Sequence, residues 1–355
     1  MDNIIISFCV PSYNRAEMTV LMVDSILRYQ GDDIEVIVTD DASPDNTIQK
    51  LNKIRDKRLR IIENKNRLGG AGNMVESLRY SRGKYSFVAF SREEVDSNTI
   101  SDLVDFLKDS KYSIVYCGED QKNRDNVEYR KGVQALGKIA YKSLHPTGMV
   151  FRTDCLNQSL KKYKADSCGE KFGFFPHDFI AADLAIKGNI LLYNKKVRIR
   201  VKENYIKNSK SDNSAVNEKN KIIWFYPDGR IRQFEKHVIH LSELEISDKE
   251  KSLVLIYMYR TLLSHCTISY QLMAKDKLNC DHYNVPVKKV TFQSLLLIAR
   301  KTSKEFVRIV KKYRLQINPL CRLFCCFPIT EFFLMYMKIK MQRLIFAVLS
   351  LVKRR

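Results

Sequence analysis

The sequence predicts an α/β protein with a mainly parallel sheet, helices on both of its faces, and a C-terminal helical region. Three observations predict it. Residues 34–38 (IEVIV) form an apolar, β-branched run that breaks into Thr39-Asp40-Asp41 and then into a helix-start signal, Ser43-Pro44. Apolar runs of strand length alternate with segments of helical period over the first third of the chain. Beyond a polar, charged stretch at 202–221 that lacks apolar periodicity, the pattern becomes helical only.

In chain order, residues 4–10 (IIISFCV) are a continuous apolar run ending at Pro11, as a buried parallel strand requires. The turn PSYNR (11–15) follows, and Met18, Leu21, Met22, Ile26 and Tyr29 then recur at helical spacing. The second strand, 34–38, carries Asp40 and Asp41 just past its carboxyl end, where open α/β sheets bind ligands. Ser43 as N-cap and Pro44 as first helical residue open a helix with Ile48 and Leu51 on its apolar side. Residues 60–63 are a third strand, and NRLGGAGN (66–73) is a glycine-rich turn before a helix that reaches about Ser81 and is ended by Gly83. A fourth strand at 85–90 leads into Ser91-Arg92-Glu93-Glu94-Val95-Asp96, after which Ser97 caps a helix containing Ile100, Leu103, Val104 and Leu107.

Residues 112–117 predict a further strand and 118–130 a polar loop; 145–152 predict a turn and strand, 154–161 a helix, and 174–187 a turn into an amphipathic helix. Short strands at 190–200 close the domain. The expected division is a first domain at 1–205, a linker and domain edge at 206–240 in which 222–232 finish that domain, and a basic helical region at 241–355 with helices at 252–272, 292–314 and 329–352.

The net charge of +21, from 61 Lys and Arg against 40 Asp and Glu, implies an anionic partner. Its location narrows the choice: residues 300–355 hold 14 basic side chains and two acids, Glu305 and Glu331. Residues 332–352 combine Lys338, Lys340 and Arg343 with Phe, Leu, Met and Ile, and the apolar run after Arg343 is too short to span a bilayer. That is the composition of an interfacial helix on anionic lipid, and equally of a helix packed on a partner. Aromatic and basic residues do not interleave in an RNA-binding pattern, so nucleic acid is excluded as the partner. Nine scattered cysteines without a Cys-x-x-Cys pair argue against a disulfide framework or a zinc site. With a strand beginning at Ile4 and no signal-peptide pattern, the expected location is the cytoplasm, at the inner face of the plasma membrane.

Taken together, VPSYNR (10–15), VTDDASPDNT (38–47), the glycine-rich turn ending in Asn73 and GKYSFVAFSREEVD (83–96) resemble the family 2 glycosyltransferases of the GT-A (Rossmann-like) fold. FFPHDFIAADLAIKGNILLYN (174–194) is similar to the bacterial members that build capsule, lipopolysaccharide or teichoic-type glycans. The resemblance implies transfer of a sugar from a nucleotide-diphosphate donor, a UDP-sugar first, to a lipid-linked or polysaccharide acceptor. It also implies that Asp41 contacts the base, that Pro11 and Tyr13 line the same pocket, that Arg15 and Arg67 meet the phosphates, and that Asn73 lies near the sugar nucleotide. Against this stands the plain alternative that Asp40 and Asp41 cap the following helix.

The family's fourth strand ends in an acidic motif that holds Mg²⁺ or Mn²⁺ against the diphosphate. Here the run is Ser91-Arg92-Glu93-Glu94. Three readings follow: Glu94 ligates the ion with Glu93 assisting; Arg92 supplies the positive charge itself; or the chain binds sugar nucleotide without transferring it, serving as a membrane-bound scaffold. The resemblance assigns the proton-accepting base of an inverting transfer to Asp178, with His177 as runner-up and Asp183 as a weaker alternative. His145 and the Thr147-Gly148 turn shape the acceptor face. Arg200 and Lys202 stand where the family carries a phosphate-binding Arg-x-His element.

Overall fold

Two strands buried along their whole length, β1 (Ile6–Ser12) and β2 (Ile34–Asp40), lie third and second from one edge of a mixed eight-stranded sheet. The computed structural model describes residues 4–91, 93–118, 125–200, 216–217, 222–223, 226–275 and 291–326. It divides into two units, Met1–Ser214 and Ala215–Arg355.

The first unit alternates strand and helix as the sequence predicts: α1 (Ala16–Leu27), α2 (Thr47–Leu51), β3 (Leu59–Glu63), α3 (Gly69–Arg79), β4 (Tyr85–Val88), β5 (Glu93–Val95) and α4 (Ser97–Lys108). There follow β6 (Ile114–Tyr116), β7 (Val127–Tyr129), α5 (Val133–Lys138), β8 (Met149–Arg152), α6 (Thr153–Leu160), α7 (Cys168–Phe172), α8 (Pro176–Ala185), β9 (Ile190–Leu192) and β10 (Arg198–Arg200). The sheet order is β3-β2-β1-β4-β8-β6-β9-β7, with β1, β2, β3 and β4 parallel and β8 antiparallel to both its neighbours. The chain first walks outward from β1 through β2 to β3, then returns to place β4 on the other side of β1. Right-handed crossovers therefore put α1 and α2 on one face and α3 on the other. The point of reversal, between β1 and β4, is where such sheets bind nucleotides.

On the α1 and α4 face, alternate residues of the central strands (Phe8 and Val10, Val36 and Val38, Phe87) pack with Met22, Ile26, Leu103 and Leu107. The opposite face of the same strands carries a buried polar cluster at their amino ends. Glu35 accepts from Ser7 Oγ (2.6 Å), from the Arg82 backbone amide (2.8 Å) and from Arg60 (2.8 Å), and Gly83 N donates to Ser7 Oγ (2.8 Å). The cluster ties β1, β2 and β3 to the segment entering β4.

Several elements differ from the sequence reading for local reasons. The helix expected from Ser43-Pro44 begins only at Thr47, because Ser43 is drawn back to Asp40 and Asp45 takes the Thr47 amide instead (3.1 Å). Asp96, rather than Ser97, caps α4 by accepting from Asn98 N (3.0 Å). Within the expected loop 118–130, residues 127–129 form the edge strand β7, which needs a partner on one side only and leaves its polar side chains in solvent. Residues 227–243, expected as the edge of the first domain, form a helix in the second unit. Pro227 at its start and the buried spacing of Ile231, Phe234, Val238 and Leu241 explain why.

That helix, α9 (Pro227–Glu243), packs with α10 (Asp248–Lys275) and α11 (Phe292–Lys312), and α12 (Pro319–Cys326) joins α10 and α11. The Phe306 ring lies 5.4 Å from that of Phe234 and 4.9 Å from that of Tyr259, whose hydroxyl bonds Ser303 Oγ (2.8 Å). Thr291 and Ser294 close a reciprocal cap at the start of α11. Among the described residues no helix is long and apolar enough to cross a membrane. The proposed interfacial segment 332–352 lies outside the described residues. Burial pushes the Cys9 and Cys266 thiols up to about 12.

Two measurements check this packing. Glu35→Ala removes the buried carboxylate that Ser7 Oγ, the Arg82 amide and Arg60 share, and urea unfolding of the full chain is expected to show a loss of about 3 kcal/mol. The helix α3 offers a paired test. A Cβ on Gly72 would stand 2.3 Å from the Ala165 carbonyl oxygen, whereas one on Gly70 meets nothing within 4 Å. Gly72→Ala is expected to destabilise by about 1–3 kcal/mol and Gly70→Ala to be neutral or to stabilise by up to about 1 kcal/mol; equal effects would contradict the close approach of α3 to residue 165.

Candidate active site

The loops leaving β1 and β2 are knitted together at the point of strand-order reversal. Asn14 and Ala42 adopt left-handed backbone conformations (φ 51° and 57°). The Asn14 amide donates to Ser43 Oγ (2.9 Å), and Ser43 donates through its hydroxyl and its amide to the two carboxylate oxygens of Asp40 (2.5 and 2.8 Å). Asp45 accepts from the Ala16 amide (3.1 Å), which fixes the start of α1. Asp40 is thus a turn-forming residue for its own loop.

Asp41 has a different task. Its amide donates to the Ser12 carbonyl (2.9 Å), and its carboxylate accepts from the amides of Leu68 (2.7 Å) and Gly69 (2.8 Å) and from Asn64 Nδ2 (3.2 Å). An acid at a helix N-terminus meets unpaired amides and the positive end of the dipole. Asp41 does cap a helix, but the helix is α3 rather than the one that follows it in sequence. Its residue is 1% exposed. Gly69, at φ 75°, supplies the turn that aims both amides at it.

Asn73 lies within α3, not in a turn before it. Its Nδ2 donates to the carbonyls of Ser12 (3.1 Å) and Thr39 (3.0 Å), and its Oδ1 accepts from Asn64 (3.0 Å), so it staples the ends of β1 and β2 to α3. Pro11 is buried in β1. Tyr13 and Arg15 are half-buried just past the strand, and the exposed Arg67 holds its guanidinium 4.0 Å from the centre of the Tyr13 ring. The first group of expected residues therefore meets at one place.

The acidic run after β4 is arranged otherwise than the sequence reading supposes. Arg92 lies outside the described residues. Glu93 and Glu94 are consecutive on β5, which pairs antiparallel with β10, Arg200 opposite Glu93 and Ile199 opposite Glu94. Consecutive strand residues point to opposite faces, so the two carboxylates diverge. Glu93 is buried and turns to His145, with Oε1 3.4 Å from Nε2. Glu94 is half-buried on the other side. The run does not fit the two-carboxylate ion site with Glu93 assisting Glu94, and among the described residues no group of three or more His, Cys, Asp and Glu side chains could hold a metal. Lys202 also lies outside the described residues.

Further along the chain, the first turn of α8 grips the loop that precedes β8. The Asp178 carboxylate accepts from the Ser143 amide (3.1 Å to each oxygen) and from its hydroxyl (3.1 Å), and His177 Nε2 is 2.9 Å from the Leu144 carbonyl oxygen. Tyr141 and Ser143 are held at φ 54° and 49°. The same loop carries His145, whose Nδ1 accepts from Thr147 N (3.2 Å), which leaves Nε2 to face Glu93. Thr147 Oγ1 in turn accepts from Phe90 N (3.1 Å), and the Gly148 amide donates to the Val88 carbonyl at the end of β4 (3.2 Å). Asp178, His177, His145 and Glu93 thus form one connected group. Asp178 is 0% exposed in this arrangement. Asp183 is bound to Ser159 (2.5 Å), Tyr163 (2.6 Å) and Lys162 (3.1 Å) and joins α6 to α8.

Sequence reasoning missed Ser143, Asn64 and the Leu68 and Gly69 amides. Only the glycine at 69 left a local signal; the other contacts join residues far apart in the chain or rest on backbone groups that every residue carries.

The comparisons agree with this geometry. Residues 7–174 match the sequence profile described as glycosyl transferase family 2. Two Escherichia coli proteins named UDP-Glc:alpha-D-GlcNAc-diphosphoundecaprenol beta-1,3-glucosyltransferase are similar to this chain. WfgD is 26% identical over 144 residues, 41% of this chain and 56% of that protein, and WfaP is 30% identical over 120 residues, 33% of this chain and 48% of that protein. The abequosyltransferase RfbV of Salmonella typhimurium is 30% identical over 131 residues, 36% of this chain and 39% of that protein. The chain spans about half the length of the curated relatives it matches. Among solved structures, S. aureus TarS 1-349 aligns with a TM-score of 0.55 at 13% identity, over 92% of this chain and 88% of that chain, a likeness of fold. Residues 7–174 therefore belong to glycosyl transferase family 2, and the fold that carries them is of the GT-A type.

Proposed function

We propose that this chain transfers a sugar from a UDP-sugar to a hydroxyl of a lipid-linked glycan in bacterial surface-polysaccharide synthesis, with inversion at the anomeric carbon, at the cytoplasmic face of the plasma membrane. The observation that carries the reading is the meeting of Tyr13, Arg67 and the α3-capping Asp41 at the point of strand-order reversal. The names of WfgD and WfaP, with a UDP-Glc donor and a diphosphoundecaprenol acceptor, support the choice of donor and acceptor class.

In this reading the stacked Tyr13 ring and Arg67 guanidinium form one wall against the nucleotide, and Arg15 meets the diphosphate. Asp178 takes the proton of the acceptor hydroxyl as that oxygen attacks the anomeric carbon and the nucleoside diphosphate leaves from the opposite side. The bonds from Ser143 orient the carboxylate for this. No step runs through a metal ion, since the acids of β5 diverge.

The burial of Asp178 favours a second reading, a binding module or scaffold at the membrane that holds sugar nucleotide without turnover. Calorimetry with UDP, GDP, dTDP and CMP, combined with donor turnover, separates the two. UDP is expected to bind wild type, and Tyr13→Ala and Arg67→Ala are each expected to weaken it about tenfold without shifting the melting temperature. Asp178→Asn is expected to keep UDP affinity and lower transfer by about 10²–10⁴. Binding without any turnover in wild type selects the scaffold; no nucleotide binding at all removes both. A second arm compares Mn²⁺ with EDTA: UDP affinity is expected to change less than about threefold, and a large gain with Mn²⁺ would return Glu94 to the role of ion ligand.

A further inference from the structure

The strongest concentration of unneutralised charge among the described residues lies on one face of α11. Residues 293, 297, 300, 304, 308 and 311 follow one another at spacings of three and four, which places Gln293, Leu297, Arg300, Lys304, Arg308 and Lys311 in a single line along the helix. All six are exposed, while Leu295, Ala299, Phe306, Ile309 and Val310 on the opposite side are buried in the helical unit. Within this line Arg308 is matched by Glu305 (2.8 Å), and beside it Lys301 pairs with Asp228 (3.0 Å) and Lys312 with Glu235 (2.8 Å). Arg300, Lys304 and Lys311 are not. Among the described residues no carboxylate lies within ion-pair distance of these three, nor of Arg314 and Arg322 beyond the helix.

The same unit exposes its large apolar side chains beside these cations. Leu297 sits within the line itself and is 68% exposed, and on α12 Leu320 (57%) and Leu323 (52%) flank Arg322. A solvated basic helix has no use for leucines turned outward, and a nucleic-acid backbone offers them nothing. A bilayer surface accommodates both, anionic headgroups meeting the cations and the acyl boundary taking the leucines.

We propose that the exposed face of α11, with Leu320 and Leu323 of α12, docks this chain on a phospholipid surface bearing anionic headgroups. The proposal deepens the membrane location given above and assigns it to a surface distinct from the segment 332–352. Three cations without protein counterions bind with a salt dependence, and the leucines contribute a part that salt does not remove.

The test is co-sedimentation of the full chain with vesicles of phosphatidylcholine alone or with phosphatidylglycerol, across a salt series. Three chains are compared: wild type, Arg300→Glu/Lys304→Glu/Lys311→Glu, and Lys338→Glu/Lys340→Glu/Arg343→Glu. Wild type is expected to bind the anionic vesicles selectively, and the α11 variant about a hundredfold more weakly. Leu297→Ser is expected to lower binding by the same factor at every salt concentration. All substituted side chains on α11 are exposed, so melting temperatures are expected to match wild type and UDP calorimetry to be unchanged. Loss of binding in the 338/340/343 variant alone, with the α11 variant binding as wild type does, overturns the proposal and leaves membrane attachment to that segment. Absence of vesicle binding in wild type overturns both, while the sugar-nucleotide reading stands or falls on calorimetry. Salt-sensitive retention on DNA without retention on vesicles overturns the choice of lipid.

Discussion

The contact on which the strand-order reversal of the first unit depends is the Asp41 carboxylate seated on the amides of Leu68 and Gly69. Through its own amide Asp41 is bonded to the end of β1, by position it ends β2, and through its side chain it begins α3. Because α3 starts the return crossover from β3 to β4, this one residue joins the two halves of the strand-order reversal. Asn73, one turn into α3, bonds the same two strand ends from the other side. The loops bearing Tyr13 and Arg67 are therefore carried on a base that is already closed, and a ligand meets a site whose backbone is fixed before binding.

The loop held by the start of α8 is built on the same plan with different parts. There a helix start, the first turn of α8, offers side chains rather than amides, and a loop with two non-glycine residues at positive φ is the element being held. Left-handed backbone at such residues costs roughly 1–2 kcal/mol each. The bonds from Ser143 to the fully buried Asp178 and from the loop carbonyl to His177 offset that cost. The strain and the buried carboxylate sit at one spot, and His145 carries the connection on to Glu93. Asp178 is thus linked to β5 through the backbone of residues 143–145 and the 3.4 Å contact of His145 with Glu93.

The central strands were legible because β1 and β2 are buried on both faces, which demands unbroken apolar runs, and Asp40-Asp41 stood out as the break in such a run. What the acids bind was not legible. Asp41 meets amides some 27 positions on, and Asp178 meets Ser143 across 35; neither distance leaves a periodic trace. Ser43-Pro44 reads as a helix start by residue type, yet Asp40 competes for Ser43 three positions away and wins. The pair Glu93-Glu94 reads as a chelating motif until Val95 is seen to continue a strand, and a strand sends neighbouring side chains apart. The helix at 227–243 did carry its signals, a proline at its first position and apolar residues at three- and four-residue steps, but the polar stretch before it drew the boundary too late.

The distribution of charge separates two kinds of recognition that the net value of +21 merges. Screening limits an exposed charge to about 10 Å at moderate salt. The unmatched cations of α11 therefore act on what lies against the helical unit, and in the proposed reading a donor diphosphate is met by Arg15 just past the end of β1. Net charge alone would have suggested one diffuse anion-binding protein. The pairing of Lys301, Arg308 and Lys312 with nearby acids removes half of the α11 cations from that count and leaves a line whose neighbours are leucines, so the remaining attraction is directed at a surface both anionic and apolar.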